Sequence, residues 1–428
     1  MSLISSMYTG ASGLDANSTD LSVIGDNIAN SNTVGFKASR AAFADAMAEQ
    51  LIGSGLGDSQ IGLGVQLVTV QRIVTQGSLT TTGLATDLAI QGNGFFAVKG
   101  SHDGQSGLFF TRNGQFTVDN GGNLINQEGL TVQGYVADAA GKLATAPSDL
   151  KVGNSMSQPL ATATISVQAN LNSEDAVPAA FNVANPSGTS NTSNSVTVYD
   201  PAGGAHQVDI YYSKTAANAW AWNAVTVDTT GAPVVAGTGT LTFDPAGSGK
   251  LAAQTGTINV TYPNMAAAQA INVNFGDPTG GVPPGTGLLG VTQFAAPDGT
   301  AKMSQDGFSA GSLSHLSIDS EGKIEGAFTN GQTRLLGQIA TALVPAADKM
   351  ERVGGNLFST TLQSGQATLG APSTGGRGTL AAGALEQSNV DLANEFVRMI
   401  STQRAYQANG KTVTTADSLL VELMNIKR

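Results

Sequence analysis

Apolar side chains recur every seven residues at the start of the chain, at Met7, Leu14, Leu21 and Ile28, with Leu3 and Ile24 on the adjoining row. A seven-residue repeat keeps one helix face apolar and predicts a coiled-coil seam. The end of the chain carries the same pattern: Leu392, Met399, Tyr406, Val413 and Leu420 lie seven apart, with Phe396, Leu423 and Met424 beside them. Ser388 followed by Asp391 marks the start of that helix, a capping arrangement with aspartate where Glu or Gln is usual. Two heptad helices at opposite ends of one chain are expected to pair. Their charges favour this weakly, since the first carries only Asp15, Asp20 and Asp26, while the second has Arg398, Arg404, Lys411, Lys427 and Arg428 against Asp391, Glu395, Asp417 and Glu422.

Glycines weaken both helices. Gly10, Gly13, Gly25 and Gly410 each cost about 1 kcal/mol relative to alanine in a helix interior. Apolar seam residues recover roughly 1.5 to 3 kcal/mol each, but only where a partner covers them. The expectation is therefore that the ends order on assembly with other copies.

The first helical pattern gives way at "NIANSNTVGFK" (27–37). The seam ends at Ile28, and the asparagines at 30 and 32 suit a helix exit because they satisfy local backbone groups and tolerate left-handed turns. Gly35 permits a sharp change of direction and Phe36 offers an apolar anchor. Asn30, Asn32, Gly35 and Phe36 are thus the candidate hinge or spoke between the first helix and the β region.

Between the ends the periodicity changes to that of β-strands. "LVTVQRIVTQG" (67–77), "VTVYDPAGGAHQVDIYYS" (196–213), "LTFDPAGSG" (241–249) and "INVTYPN" (258–264) cluster β-branched and aromatic residues between Gly, Pro and Asp. Both Asp-Pro-Ala-Gly tetrapeptides read as turns. "FTVDNGGNLIN" (116–126) and "LSIDSEGKIEG" (316–326) share one pattern, two hairpins with an Asp-x-x-Gly turn about 200 residues apart. Their separation by a stretch of different β texture predicts a domain interrupted by an inserted one. The fold class is mainly β with terminal α-helices forming a coiled coil and nested, discontinuous β domains.

At 428 residues the chain needs several cores. Only 12% of it is charged, so its surface must be covered by Ser, Thr, Asn and Gln. A net charge of -11 without any cluster of Lys or Arg argues against nucleic acid. The absence of cysteine excludes disulfides, thiolate metal sites and cysteine nucleophiles. No Lys or Arg precedes Lys37 and no run approaches 18 apolar residues, so neither a standard cleaved signal peptide nor a membrane span is expected.

Candidate chemistry is sparse. "GSGLG" (53–57) lacks the Lys-Ser/Thr of a phosphate loop, and "QGNGFFAV" (91–98) suits a tight turn into a buried strand. The acids show no paired spacing, and His102, His206 and His315 stand far apart with no obvious acidic partners. No catalytic, metal-binding or cofactor-binding residue is nominated, and the expected cofactor set is none.

Several stretches together are specific enough to resemble a family. "GLDANSTDLSVIGDNIANSNTVGFK" (13–37) resembles the N-terminal signature of bacterial flagellar rod and hook proteins, and "LEQSNVDLANEFVRMISTQRAYQANGKTVTTAD" (385–417) their C-terminal one. "TQGSLTTTGLATDLAIQGNGFF" (75–96), "TRNGQFTVDNGGNLINQEGLTVQGY" (111–135) and "GAFTNGQTRLLGQIATALV" (326–344) resemble the same family. The likeness covers roughly half the chain and fades over about 148–304, where hook-type members carry an extra β domain. It implies terminal helices at 1–30 and 385–428, a connector at 31–71 and 372–384, a middle β domain (D1-like) at 72–147 and 305–371, and an inserted outer one (D2-like) at 148–304.

The resemblance further implies a subunit that polymerises with itself into a flexible helical tube, which transmits torque and encloses an export channel. Its partners would be the rod protein, a hook cap, hook–filament junction proteins and the flagellar type III export apparatus, with localisation to the flagellum outside the cell. The seam residues would then serve polymerisation. The long stretch 38–61 leans towards the connector of the distal-rod type, which stays open as an alternative. A secreted β-rich adhesin or a cell-wall hydrolase would explain the middle of the chain but not the paired heptads.

Overall fold

The computed structural model describes residues 3–46, 49–50, 60–138, 140–153, 155–228, 231–262 and 268–426. It has a helix at each end, α1 (Leu3–Ala29) and α2 (Leu392–Ile426), with β-strands between them. The glycine-rich stretch 53–57, and with it residues 47–48 and 51–59 of the candidate connector 31–71, lie outside the described residues. The chain divides into two compact units. One comprises Met1–Ser155, Leu313–Ala327 and Thr333–Arg428, and the other Met156–Ser312 with Phe328–Gln332.

In the first unit, early and late segments meet in order. Leu79–Thr81 pairs antiparallel with Ala384–Glu386, and Leu88–Gln91 with Thr379–Ala382. Further inward, Phe95–His102 forms a hairpin with Gln105–Thr111 and also pairs with Thr131–Val136 and Thr341–Leu343. Phe95, Phe110, Ala342, Met350 and Phe358 close the core beneath these strands, with Phe95 meeting Phe358 edge-on at 5.9 Å. Among the described residues the strand Ser39–Asp45 pairs only with Val65–Arg72, an antiparallel ribbon with a bulge between Ala42 and Phe43.

The second unit is a curled sheet. Its strands run in the order Thr192–Tyr199, Ala205–Ala216, Ala219–Val227, Pro233–Phe243, Thr257–Val260, Gln269–Asn274, Thr164–Asn170 and Gly299–Gln305. The first and last lie against each other, where Thr300 Oγ1 donates to Asn194 Oδ1. Alternation decides which side chains fill the interior: Val208, Ile210 and Tyr212 from one strand, Trp220, Trp222 and Ala224 from the next. Trp222 donates its indole N–H to the Thr255 carbonyl at 3.0 Å, so its one polar atom is satisfied in the core.

Both hairpins that echo one another in sequence turn in the same way. Gly122 donates to the Asp119 carbonyl and Gly322 to that of Asp319, each at 3.0 Å, and both glycines are left-handed, with φ of +83° and +77°. The Asp119 and Asp319 carboxylates accept the backbone N–H four residues on, at 2.7 and 2.8 Å. The Asp200, Asn126, Asp138 and Asp228 turns follow the same rule, while at Asp244 the carboxylate accepts the Ala246 N–H and the Ser248 hydroxyl instead and Gly247 still donates to the Asp244 carbonyl. An Asp or Asn that mimics the backbone, followed three residues later by glycine, is this protein's recurring strand reversal.

The helices pack through small residues. Gly10 and Gly13 of α1 are buried, and a Cβ there would stand 2.8 Å from Val413 Cγ2 and 2.5 Å from Asn409 Nδ2. Ala16 and Ile24 continue this face, and between them Asp20 accepts from Arg398 at 3.2 Å and Thr402 at 3.0 Å. The glycines expected only to weaken α1 therefore set its distance from α2. Of the heptad positions, Ile24 is buried, while Met7, Leu14, Leu21, Ile28, Met399, Val413 and Leu420 are half-buried. Leu392, Phe396 and Tyr406 remain 42%, 49% and 42% exposed. The side chains of Leu3 and Leu423 lie outside the described residues. Each helix covers part of the other within one chain, which supplies some of the cover that the sequence reserved for other copies.

Two outcomes are expected. Gly13→Leu forces the helices apart, so amide exchange across α1 and the facing stretch of α2 should accelerate roughly tenfold or more, as overpacking by about 1–3 kcal/mol dictates; unchanged exchange would contradict the close approach. Hydrogen bonds also hold several turn carboxylates below their usual range: Asn123 does so for Asp119, the Lys142 N–H for Asp138 and the Ser248 hydroxyl for Asp244. With folded values lowered from about 4, their contribution to stability is complete above that pH and is lost as pH falls through the lowered values. The melting temperature should drop on acidification below about pH 4, and Asp138→Asn, which keeps the acceptor but does not titrate, should flatten the drop.

Candidate functional site: the clamp at the helix exit

The exit from α1 is fastened rather than loose. Asn30 donates its side-chain amide to the Asp26 carbonyl at 2.9 Å and accepts the Thr33 hydroxyl at 3.1 Å, which ends the helix locally. Asn32 is exposed, whereas Gly35 to Ser39 are all buried. Gly35 is left-handed, with φ of +71°, and donates to the Glu386 carbonyl at 2.7 Å. A Cβ at that position would lie 2.6 Å from the Asn113 nitrogen and 2.7 Å from the Arg112 carbonyl carbon, both backbone atoms with no freedom to withdraw. Phe36 is buried beneath the Arg352 guanidinium, 5.1 Å from its ring centre, and Arg352 in turn pairs with Asp26 at 2.9 Å.

Beside this turn lies a fully buried ion cluster. Lys37 Nζ stands 2.5 Å from Glu386 Oε1, and Arg112 donates to Glu386 Oε2 at 3.0 Å. The three charges share a wider set of hydrogen bonds: Lys37 also donates to the Thr75 carbonyl at 2.7 Å, Gly77 N–H donates to Glu386 at 2.9 Å, and Arg112 donates to the Ile90 and Gly92 carbonyls. Burial pushes the Lys37 amine and the Arg112 guanidinium below their ordinary values, outweighing the pull of Glu386 in the other direction.

Two asparagines brace the segment from either side. Asn27 of α1 exchanges two hydrogen bonds with the backbone of Ser39, at 2.8 and 2.9 Å, as a neighbouring strand would. Asn389, just before α2, accepts the Ala38 N–H at 2.8 Å and donates to the Ile73 and Thr75 carbonyls. The start of the first strand is thus held by the end of one helix and the approach to the other.

Sequence reasoning selects Gly35 and Phe36 and notices Lys37 as the first basic residue, but it misses Glu386, Arg112, Asn27 and Asn389. The available signal is that all four stand within the stretches resembling the rod and hook family. The histidines also differ from expectation. His102 lies 2.7 Å from Glu128 and His206 3.0 Å from Asp200, whose turn folds it back onto the following strand. Among the described residues no group of three or more His, Cys, Asp or Glu is arranged to hold a metal ion, and no helix is long and apolar enough to cross a membrane.

The end helices are thus locked to one β unit, and a second β unit is inserted within its sequence, an arrangement of structural contacts with no catalytic centre nominated in it. Residues 7–37 match the flagella basal body rod protein family, 89–173 the flagellar hook protein FlgE/F/G D1 domain, 170–308 the flagellar basal body protein FlaE D2 domain, and 381–426 the flagellar basal body rod FlgEFG protein C-terminal region. Flagellar hook protein FlgE of Escherichia coli K12 is 37% identical over 97% of this chain and 98% of its own length. That of Salmonella typhimurium LT2 is 36% identical over 99% and 100%, and that of Treponema pallidum 33% identical over the whole of both chains. The crystal structure of Helicobacter pylori flagellar hook protein FlgE2 aligns with a TM-score of 0.48 at 15% identity, over 70% of this chain and 98% of that one. The chain belongs to the flagellar hook protein family, a structural and non-enzymatic one, and the full-length matches favour the hook type over the distal-rod alternative.

The clamp makes a direct stability prediction. Glu386→Gln leaves Lys37 and Arg112 buried without their counter-charge and should cost about 3–5 kcal/mol in urea unfolding of the first unit. A loss below about 1 kcal/mol, within the range of an exposed pair, would show that the cluster does not hold the ends together.

Proposed function

We propose that this chain polymerises into the flexible tube of the flagellar hook, with its two end helices supplying the bonds between copies that line the export channel. The observation that carries this reading is the apolar face α2 leaves open: Leu392, Phe396, Val397 and Ile400 are all exposed within about two turns, although α1 covers the opposite side. Among the described residues a single copy has no further α-helix to place there, whereas a helical polymer has one from its neighbour. The heptad residues Leu392, Phe396 and Tyr406 then act between copies, and Leu14, Leu21 and Ile28 share the boundary.

In this reading the clamp is a spoke. It carries load from the helical tube into the β units without letting the exit angle vary, and bending is distributed over contacts between copies instead. Polar, weakly charged β surfaces suit that task, because small polar contacts exchange at little cost while a tube turns and bends. Heterologous contacts that do not close give such a tube. The rod protein then lies below, with a hook cap and hook–filament junction proteins at the growing end, and the chain is delivered unfolded through the flagellar type III apparatus.

Phe396→Glu tests it, since the position is exposed in the single chain and should not disturb the fold. The variant should have unchanged circular dichroism and yet form no tubes by electron microscopy under conditions in which the unmodified chain does. Normal tubes from the variant would remove the α2 face from the assembly.

A further inference from the structure

A cavity of about 690 Å3 opens in the first unit beside the clamp, and three of the residues lining it are Arg40, Arg72 and Arg112. Arg72 and Arg112 are only 9% and 4% exposed, yet the Nε of each finds no hydrogen-bond partner. Buried guanidinium N–H groups left unpaired are costly and point to a missing acceptor. The neighbouring charges do not supply one. Glu386 is taken by Lys37 and Arg112, and Asp26 by Arg352. Asp348, which also meets Lys349 at 3.9 Å, is the one acid among the lining residues. Burial, and after it the nearby Arg352, push Arg72 down to about 10 against the opposing pull of Asp348. Arg40 is exposed at the cavity and bound through the Gln71 side chain, at 2.8 and 3.1 Å.

We propose that this cavity is an anion site filled by a carboxylate side chain of a second copy of the chain. Charge selects the occupant: the chain carries 31 acidic against 20 basic residues, so carboxylates outnumber cations among the charged groups that another copy offers. A carboxylate has two acceptor oxygens, and the unpaired donors here are two, the Nε–H of Arg72 and that of Arg112. The proposal rests on the polymer reading above and adds a second, electrostatic bond to it, distinct from the apolar α2 face. Such a bond is specific in register and is re-formed readily after it slips.

The test compares the full-length chain with Arg40→Glu and Arg40→Lys, each checked for unchanged circular dichroism and melting temperature. Sedimentation of polymer gives the critical concentration. Arg40→Glu should raise it roughly tenfold or more and Arg40→Lys should leave it within about twofold. Equal critical concentrations for Arg40→Glu and the unmodified chain, which itself sediments as polymer, would overturn the cavity and leave the polymer reading intact. An unmodified chain that never sediments would overturn both. Titration of the monomer with inorganic phosphate separates the remaining source: phosphate binding that Arg40→Glu abolishes, with no change in critical concentration, would mark a small-anion site and refute the contact between copies.

Discussion

The structure turns on one buried carboxylate. Glu386 is the shared counter-charge of Lys37 and Arg112 in the interior, and its removal would leave two buried cations with none. Lys37 and Glu386 are 349 residues apart in the chain, so this contact requires both ends to be present together. The strand pairs that bracket it, from Leu79–Thr81 with Ala384–Glu386 inward to Phe95–His102 with Thr341–Leu343, all bring early residues to late ones. The first unit therefore cannot complete its fold until nearly the whole chain is available, and its closure is slow and non-local.

Helix packing obeys a similar constraint on space. Gly10 and Gly13 let α1 approach α2 closely enough for Asp20 to reach both Arg398 and Thr402, and that approach leaves the bulkier apolar residues of α2 facing away. A wider, leucine-lined pairing would have buried Leu392 and Phe396 inside the chain. By joining through small and polar side chains, the helices leave an apolar face of α2 open, the face on which the proposed assembly rests, while the clamp fastens the turn by which α1 leaves for the β unit.

The turns make the β units largely independent of surface charge. An Asp or Asn satisfies the backbone of each reversal and a left-handed glycine completes it, so strands are reversed by local hydrogen bonds and the surface is left to Ser, Thr and Asn. In the second unit the stability resides in the aromatic interior around Trp220, Trp222, Tyr212 and Phe275. A well-filled core with a weakly charged exterior permits contacts between copies to change without threatening the fold.

Much of this is legible in the sequence, because it rests on local rules. Seven-residue periodicity determines that the ends are helices, alternation and Asx-x-x-Gly patterns determine the strands and their reversals, and the repeated hairpin determines that one β domain interrupts another. Periodicity reports which residues share a face but not which face meets which neighbour. By propensity alone the row Gly10, Gly13 and Ala16 is a weakness, whereas in the fold it is the line of contact, and Phe396 belongs to a seam that the single chain leaves open. The clamp is still less visible: Lys37, Arg112 and Glu386 are ordinary charges one at a time, and only the tertiary structure decides that all three lose their water together. Burial is a property of the whole fold, and it is burial that makes this ion group essential.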